Sequence, residues 1–379
     1  MPDSLQVALK NSSDSSETYA YITGIALQHG GRRCFLKADG QGLYFPKDPP
    51  AIGSPLTEDC AIPLGPPENK VTVTIPQMAG GRVYISRGSR LTFLLNPGPA
   101  LVEPSVLNPT DANINIDFGF CEFTLNNDQF YANITYVDFV PRLPIAISLH
   151  TTEEVGQHVL GMQPNGVDEI ANGLRQQTAL DGKPWDKLIV ECEGQILRVL
   201  SPTHGGAVGA SFDGFFETYV DDVWKKFRKT GQQIKINTQA AAGVLTGEFI
   251  SDHEIKIGDE VFEKPTTADI FGCNSGPFTT GPSETRNTII PRLAAAFARS
   301  TLLIQGTTEH PSHPRTYYKQ DPKNHYARLV HEHNVDGKGY AFAYDDVLPD
   351  DYAVEDQSGK VNHGEPLEFV VRVGGKAAQ

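Results

Sequence analysis

The sequence predicts a mostly β protein with an α/β insertion, and three observations predict it. Apolar and polar residues alternate with period two through the first part of the chain and again near its end. Between those regions the apolar spacing changes to threes and fours, the mark of amphipathic helices. Gly and Pro, 36 and 27 residues, supply the turns that many short strands need. At 379 residues the chain exceeds the usual size of one hydrophobic core. Two lobes are therefore expected, one from residues 1–150 together with 335–379 and one from 151–334, with a groove between them as the default ligand site.

Strands are predicted where alternation is strict, at 70–75, 82–86 and 114–118, and at 90–95, which follows a Gly-Ser turn and stops at Asn96-Pro-Gly. Residues 117–139 read as a strand, a turn around 126–129 and a second strand. Val167, Ile170 and Leu174 predict a helix over 166–177, followed by strands at 187–191 and 195–200. Phe212, Phe216, Val220, Val223, Trp224 and Phe227 predict a helix over 211–229, with Gly231 as its stop. After strands and turns over 235–272, helices are predicted at 289–303, with Pro291 in the first turn, and at 325–333. Strands at 340–344 and 367–373 would rejoin the first sheet.

Composition narrows the function. The net charge is −14 and no basic run occurs, which disfavours a nucleic acid or an anionic membrane as partner. No apolar run approaches the ~20 residues that span a bilayer. The opening is polar after Leu9 and lacks the apolar core of a secretory signal. Five widely spaced cysteines without a C-x-x-C exclude a zinc ribbon and a dense disulfide framework, while allowing one disulfide.

Glu122 and Asp138 stand out because each is flanked by apolar or aromatic residues. If the two strands of 117–139 pair with an even register sum, both carboxyls fall on one face. About 6.5–9.5 Å between them would suit inverting glycoside hydrolysis, and about 5–5.5 Å a retaining enzyme. The plain alternative is two acids on a solvent face. His310, His313, His325, His331 and His333 lack metal-ligand spacing and read as surface or capping residues. Asp345, Asp346, Asp350 and Asp351 lack the spacing of a calcium loop and read as a solvated turn, with Asp345 or Asp346 able to line a cleft. His204-Gly-Gly is no phosphate loop, and 272–276 no hydrolase elbow. Trp224 fits core packing; Trp185 reads as packing before sugar contact.

A resemblance adds to this. GRVYISRGSRLTF from position 81, CEFT from 121, YANITYVDF from 131, then Pro144-Ile145, with YITG from 21 and YAFAYDD from 340, resemble family 64 of the glycoside hydrolases in order and spacing. That family comprises thaumatin-like β-1,3-glucanases of the laminaripentaose-producing type. The resemblance implies a thaumatin-like β barrel or sandwich plus a mixed α/β lobe with an open groove. It implies endo-acting, inverting hydrolysis of β-1,3-glucan (laminarin, curdlan, cell-wall glucan), with laminaripentaose as the expected release. Carried over by position, Glu122 is the general acid and Asp138 the general base, with substrate contacts at Thr124, Asn126, Tyr131 and Thr135. Tyr131 stands where the family carries Trp, and its smaller ring offers less stacking area. On this reading Cys121 and Phe123 would desolvate Glu122 and raise its pKa. No metal or organic cofactor is implied, a monomer is expected, and an extracellular or wall-associated setting follows from the family. The rivals are a non-catalytic thaumatin-like glucan-binding protein and a metal-dependent enzyme using the histidines.

Overall fold

The computed structural model describes residues 2–153, 156–351 and 356–374. Its β part is built on two large sheets. In the first, the strands lie in the order Gln157–Val159, Ile145–Thr151, Pro366–Val373, Ser4–Asn11 and Lys70–Pro76. Pro366–Val373 runs parallel to Ser4–Asn11 and antiparallel to Ile145–Thr151, so the end of the chain occupies the centre of the sheet that its beginning starts. The second sheet runs Lys360–His363, Phe130–Ile134, Asp117–Leu125, Met78–Arg87, Thr18–Ala26, Arg32–Leu36 and Leu43–Tyr44, with Ile62–Pro63 also pairing to Thr18–Ala26. Alternation decides what these strands bury. In Lys70–Pro76, Val73 and Ile75 face inward while Thr72 and Thr74 face water. The sheets meet through apolar faces, as where Phe130 contacts Phe369 with ring centroids 4.8 Å apart.

The middle of the chain adds helices and smaller sheets. Phe139–Pro141 pairs with Gln195–Leu200, which pairs with Ile189–Cys192, so one three-stranded sheet joins the two stretches. A five-stranded sheet, Glu260–Glu263, Glu254–Ile257, Val244–Phe249, Ile234–Asn237 and Glu309–His310, packs beside the helix Glu217–Thr230. There Trp224 meets Phe249 edge-on at 5.0 Å and Phe227 stacks on it at 5.0 Å. Trp185 is fully buried among Phe212, Phe215 and Phe271, and its indole N–H donates to Asp181 at 3.1 Å. The apolar core is continuous through both stretches.

Several elements differ from expectation for identifiable reasons. Residues 112–115 form turns rather than a strand, because the Asp111 carboxyl accepts from the Asn113 N–H and the carbonyls of Ile114 and Ile116 turn to accept from Arg198 at 2.7 and 2.8 Å. Of the run 90–95 only Leu94–Asn96 forms a strand; Thr92 is held by the side chain of Asn113. Residues 340–344 make a single bridge, Thr135 to Tyr340, and not a strand. The aromatic helix begins at Glu217, since Phe212 and Phe215 clamp Trp185 and the Phe216 N–H donates to Thr267 Oγ1. Glu284–Ala298 starts earlier than expected because Ser283 caps it, accepting from the Arg286 N–H at 3.2 Å. Pro291 therefore lies inside that helix and removes one hydrogen bond from it. The helices Gly166–Asp181 and His325–His333 fall where the spacing predicts, the first running four residues longer. All five cysteines are free, so the allowed disulfide does not form.

Candidate active site

The site is built on the hairpin of Asp117–Leu125 and Phe130–Ile134. Glu122 lies opposite Asn133, an odd register sum, so Glu122 and Thr124 share a face with the odd-numbered Tyr131 and Asn133. Cys121, Phe123, Leu125, Phe130, Ala132 and Ile134 point the other way, into the core. The expected desolvation of Glu122 by Cys121 and Phe123 is thus corrected: strand alternation turns both away from it. The opposite face, with Arg33, Gly81, Arg82 and Glu103, lines a cleft of about 290 Å³. Gly81 is required there, since a Cβ would sit 2.5 Å from the Phe123 ring.

Arg82 is the hub of this cleft. It lies across the ladder from Glu122 on Met78–Arg87, and its Nε and Nη2 donate to Glu122 Oε1 at 3.1 and 3.0 Å. Its Nη1 donates to Glu103 Oε2 at 2.8 Å and to the Tyr84 hydroxyl at 3.0 Å. The guanidinium lies over the Phe120 ring at 4.7 Å.

Asp138 is placed by a different route and is not among the residues that line the cleft. The even-parity argument for a shared strand face does not apply, because the strand ends at Ile134 and Asp138 lies in a bend before Phe139–Pro141. Thr135 Oγ1 accepts from the Val137 N–H at 3.3 Å and shapes that bend. Tyr136 is buried under it, its hydroxyl donating to Asn334 Oδ1 and its carbonyl accepting from Tyr326. The Asp138 carbonyl accepts from the Ser201 N–H at 2.9 Å, and its Oδ1 lies 2.9 Å from His204 Nε2. His204 sits in the short helix Pro202–Val208, whose first turn Ser201 caps. The hydrogen bond from His204 holds the Asp138 carboxyl below its ordinary value against desolvation, helped by the charges of His204 and Arg82. Both carboxyls therefore feel one guanidinium, Glu122 by contact and Asp138 through the field.

The other expected site residues divide. Thr124 and Tyr131 line the cleft with Glu122. The Tyr131 hydroxyl is bonded to that of Tyr340 at 2.8 Å. Asn126 is at the hairpin tip, where its Oδ1 accepts from the N–H groups of Asp128 and Gln129, both at 2.9 Å. Asp117, on the same strand at opposite parity, pairs with Arg87 at 2.8 Å. Asp345 lines no cleft: it is fully buried between Arg299 at 3.0 Å and His331 at 2.9 Å. His310, His325 and His331 all lie inside the fold, so the surface half of the surface-or-capping expectation fails for them. Among the described residues, no group of three or more His, Cys, Asp or Glu could hold a metal ion. A roomier concavity of about 760 Å³, lined by Asp181, Phe215, Asp321 and His325 among others, lies apart from the two carboxyls.

Sequence reasoning missed Arg82, Glu103, Asn133 and His204. Arg82 left one usable signal: it is a charged residue flanked by Gly81 and Val83 in a strand paired to the one carrying Glu122. His204 left none, being 66 positions from its partner.

The chain is 29% identical over 369 residues to proteins named glucan endo-1,3-beta-glucosidase from Cellulosimicrobium cellulans and from Arthrobacter sp. (strain YCWD3). Those alignments cover 94% of this chain but only 64% of the relatives' length, so the chain spans less than two thirds of them. A solved laminaripentaose-producing β-1,3-glucanase in complex with laminaritetraose superposes with a TM-score of 0.85 at 30% identity, covering 98% of this chain and 99% of that one. A β-1,3-glucanase domain from Clostridium beijerinckii, 20% identical, shares the fold with a TM-score of 0.75 and 98% coverage of both chains. The family described as Beta-1,3-glucanase matches residues 3–373, and the chain belongs to glycoside hydrolase family 64.

Proposed function

We propose that the protein is an endo-acting β-1,3-glucanase that hydrolyses laminarin, curdlan or cell-wall glucan with inversion and releases laminaripentaose. The observation that carries the reading is the pairing of two unlike carboxyls about Arg82: Glu122 in the cleft and Asp138 held ionised by His204. An ionised Asp138 is fit to take a proton from an attacking water, and Glu122 to protonate the departing glycosidic oxygen. Neither step calls on a metal or cofactor. Thr124, Asn126, Tyr131 and Thr135 are the proposed sugar contacts. Thr124 and Tyr131 have cleft positions in their favour. Asn126 has its NH2 group to offer, its oxygen being committed to the turn. A neutral glucan also suits an acidic chain, since its recognition needs no charge attraction.

The same reading takes the β part as a thaumatin-like lobe from 1–150 and 335–379, and 151–334 as an inserted lobe. The return of the last strand to the first sheet supports it. The protein is expected to work as a monomer outside the cell or at the wall. The test is digestion of curdlan by wild type and by Glu122→Gln, with products sized by chromatography. Pentaose release that falls by a factor of at least ~10² in the variant is the expected result, within the range general acid catalysis contributes. Undiminished release would remove Glu122 from the chemistry. Proton NMR of the first-formed anomer separately checks inversion, for which an α product is expected.

A further inference from the structure

Arg82 poses a difficulty for any reading in which Glu122 delivers a proton. An opposite charge in contact with a carboxyl favours its ionised form, and the guanidinium here touches Glu122 through two N–H groups. Two details of the contact answer it. Both N–H groups go to the same oxygen, Oε1, and among the described residues no hydrogen bond is recorded to Oε2. A carboxylic acid donates from one oxygen and accepts at the other. A fork that occupies Oε1 with two donors leaves Oε2 as the oxygen able to carry a proton. The remaining edge of the guanidinium is held by a second carboxylate, Glu103, at 2.8 Å. With Glu122 ionised, the three groups sum to one negative charge; with Glu122 protonated they are neutral.

We propose that Arg82 and Glu103 are positioning residues for Glu122: Arg82 fixes Oε1 as the unprotonated oxygen, and Glu103 takes enough of the guanidinium charge for Oε2 to hold its proton. This rests on the glucanase reading above and adds a division of labour to it. Without Glu103 the full charge of Arg82 would fall on Glu122 and hold it ionised. Without the two-pronged contact the proton would be free to sit on either oxygen. The side chains of Arg82 and Glu103 are each about 30% exposed, 29% and 30%, so the pairing lies where water only partly screens it.

Other charges facing Glu122 set the background. Arg33 and Tyr131 line the same cleft, and the Tyr84 hydroxyl accepts from Arg82. Asp138, paired with His204 at 2.9 Å, lies within the field of Arg82. Lys360, paired in register with Asn133 on the far side of the hairpin, is bound to Asp356 at 3.0 Å. The Cys121 thiol behind the strand is pushed up to about 12 by burial and stays neutral. Arg82 and Glu103 alone form the chain of direct contacts to Glu122 among these.

The test compares wild type, Glu103→Gln and Arg82→Lys by the pH dependence of kcat/KM on laminarin, and by carbon-13 NMR titration of Glu122 in the sugar-free proteins. In Glu103→Gln, the alkaline limb and the Glu122 midpoint should both move to lower pH by on the order of one unit. Activity near pH 7 should then fall several-fold more than activity near pH 5. Arg82→Lys retains the charge but loses the fork, so kcat should drop about tenfold with KM within about twofold. A residue that merely braces the strands would lower stability without moving either titration. If the Glu122 midpoint is the same with and without Glu103, the proposal is overturned. If the midpoint moves but no glucan is cleaved by wild type, the charge coupling stands and the glucanase reading is what fails.

Discussion

At the scale of single residues, the contact between His204 and Asp138 makes the sharpest demand. It holds the Asp138 carboxyl down by donating to it, against a burial that would push it up. Remove the imidazole and burial wins, so Asp138 would protonate at higher pH. In His204→Ala the acid limb of kcat/KM should therefore shift upward by about one pH unit, with a loss near pH 5 at least several-fold larger than near pH 7. His204→Gln, which can still donate, should recover part of the shift. A limb that stays in place in both variants would reduce His204 to packing. Glu122 and Asp138 could be singled out in the sequence because each sits among apolar neighbours and because the CEFT and YVDF runs resemble family 64 in order and spacing. Arg82, Glu103 and His204 were not, because their partners lie 40, 21 and 66 positions away, and contacts at such separations leave no local pattern.

Elements explain the geometry that single residues cannot. The hairpin register is odd, which puts Glu122 with Tyr131 and Asn133 and would have put Asp138 on the core face had the strand continued. Ending the strand at Ile134 and bending through Thr135 frees Asp138 from that alternation. Register and bend were both beyond sequence reading, since alternation fixes which residues share a face of one strand but not how two strands align. Helix ends were easier where a glycine in the left-handed region closes them, as at Gly231, φ 63°. The start of Glu284–Ala298 was harder, because Ser283 is one polar residue among several. The hairpin tip gives a test that separates structure from binding. Asn126→Ala loses the oxygen that accepts both turn hydrogen bonds and should lower stability by about 1 kcal/mol, read by urea denaturation. Asn126→Asp keeps that acceptor oxygen but lacks the NH2, so stability should hold while KM for laminarin rises. Unchanged KM in the aspartate variant would leave Asn126 as a turn residue only.

For the whole molecule, the buried histidines set how the fold tolerates acid. His310 is fully buried, with Nδ1 3.4 Å from Thr301 Oγ1 and, among the described residues, no hydrogen-bond partner at Nε2. Burial, reinforced by the charge of Lys226, brings its pKa down to about 4. His325, 3% exposed beside Trp185, is brought to about 4 by burial and then by Arg328, with Asp321 opposing. A folded-state value below the unfolded one, near 6.5, means the unfolded chain binds the proton first. Stability from each is then whole above about pH 6.5, falls as pH drops from there to about 4, and is level below. The Asp345 network acts elsewhere on the scale. Burial alone would raise Asp345, but His331 and Arg299 outweigh it and hold it low, so its contribution persists until pH falls below the ordinary carboxylate range. His331 is raised by Asp345 despite its burial, so its contribution is full below about 6.5 and is lost only as pH climbs through its folded value. Between about pH 6.5 and 4.5, then, it is the two low histidines that should erode the fold, each by about 2–3 kcal/mol against a total of about 5–15. His310→Leu removes one of them. Its urea stability should change less between pH 7 and pH 4.5 than that of wild type, by about 2–3 kcal/mol, whatever the substitution does at pH 7 itself. If both proteins lose stability equally over that interval, the acid sensitivity resides in other groups and His310 is protonated in the fold as readily as out of it.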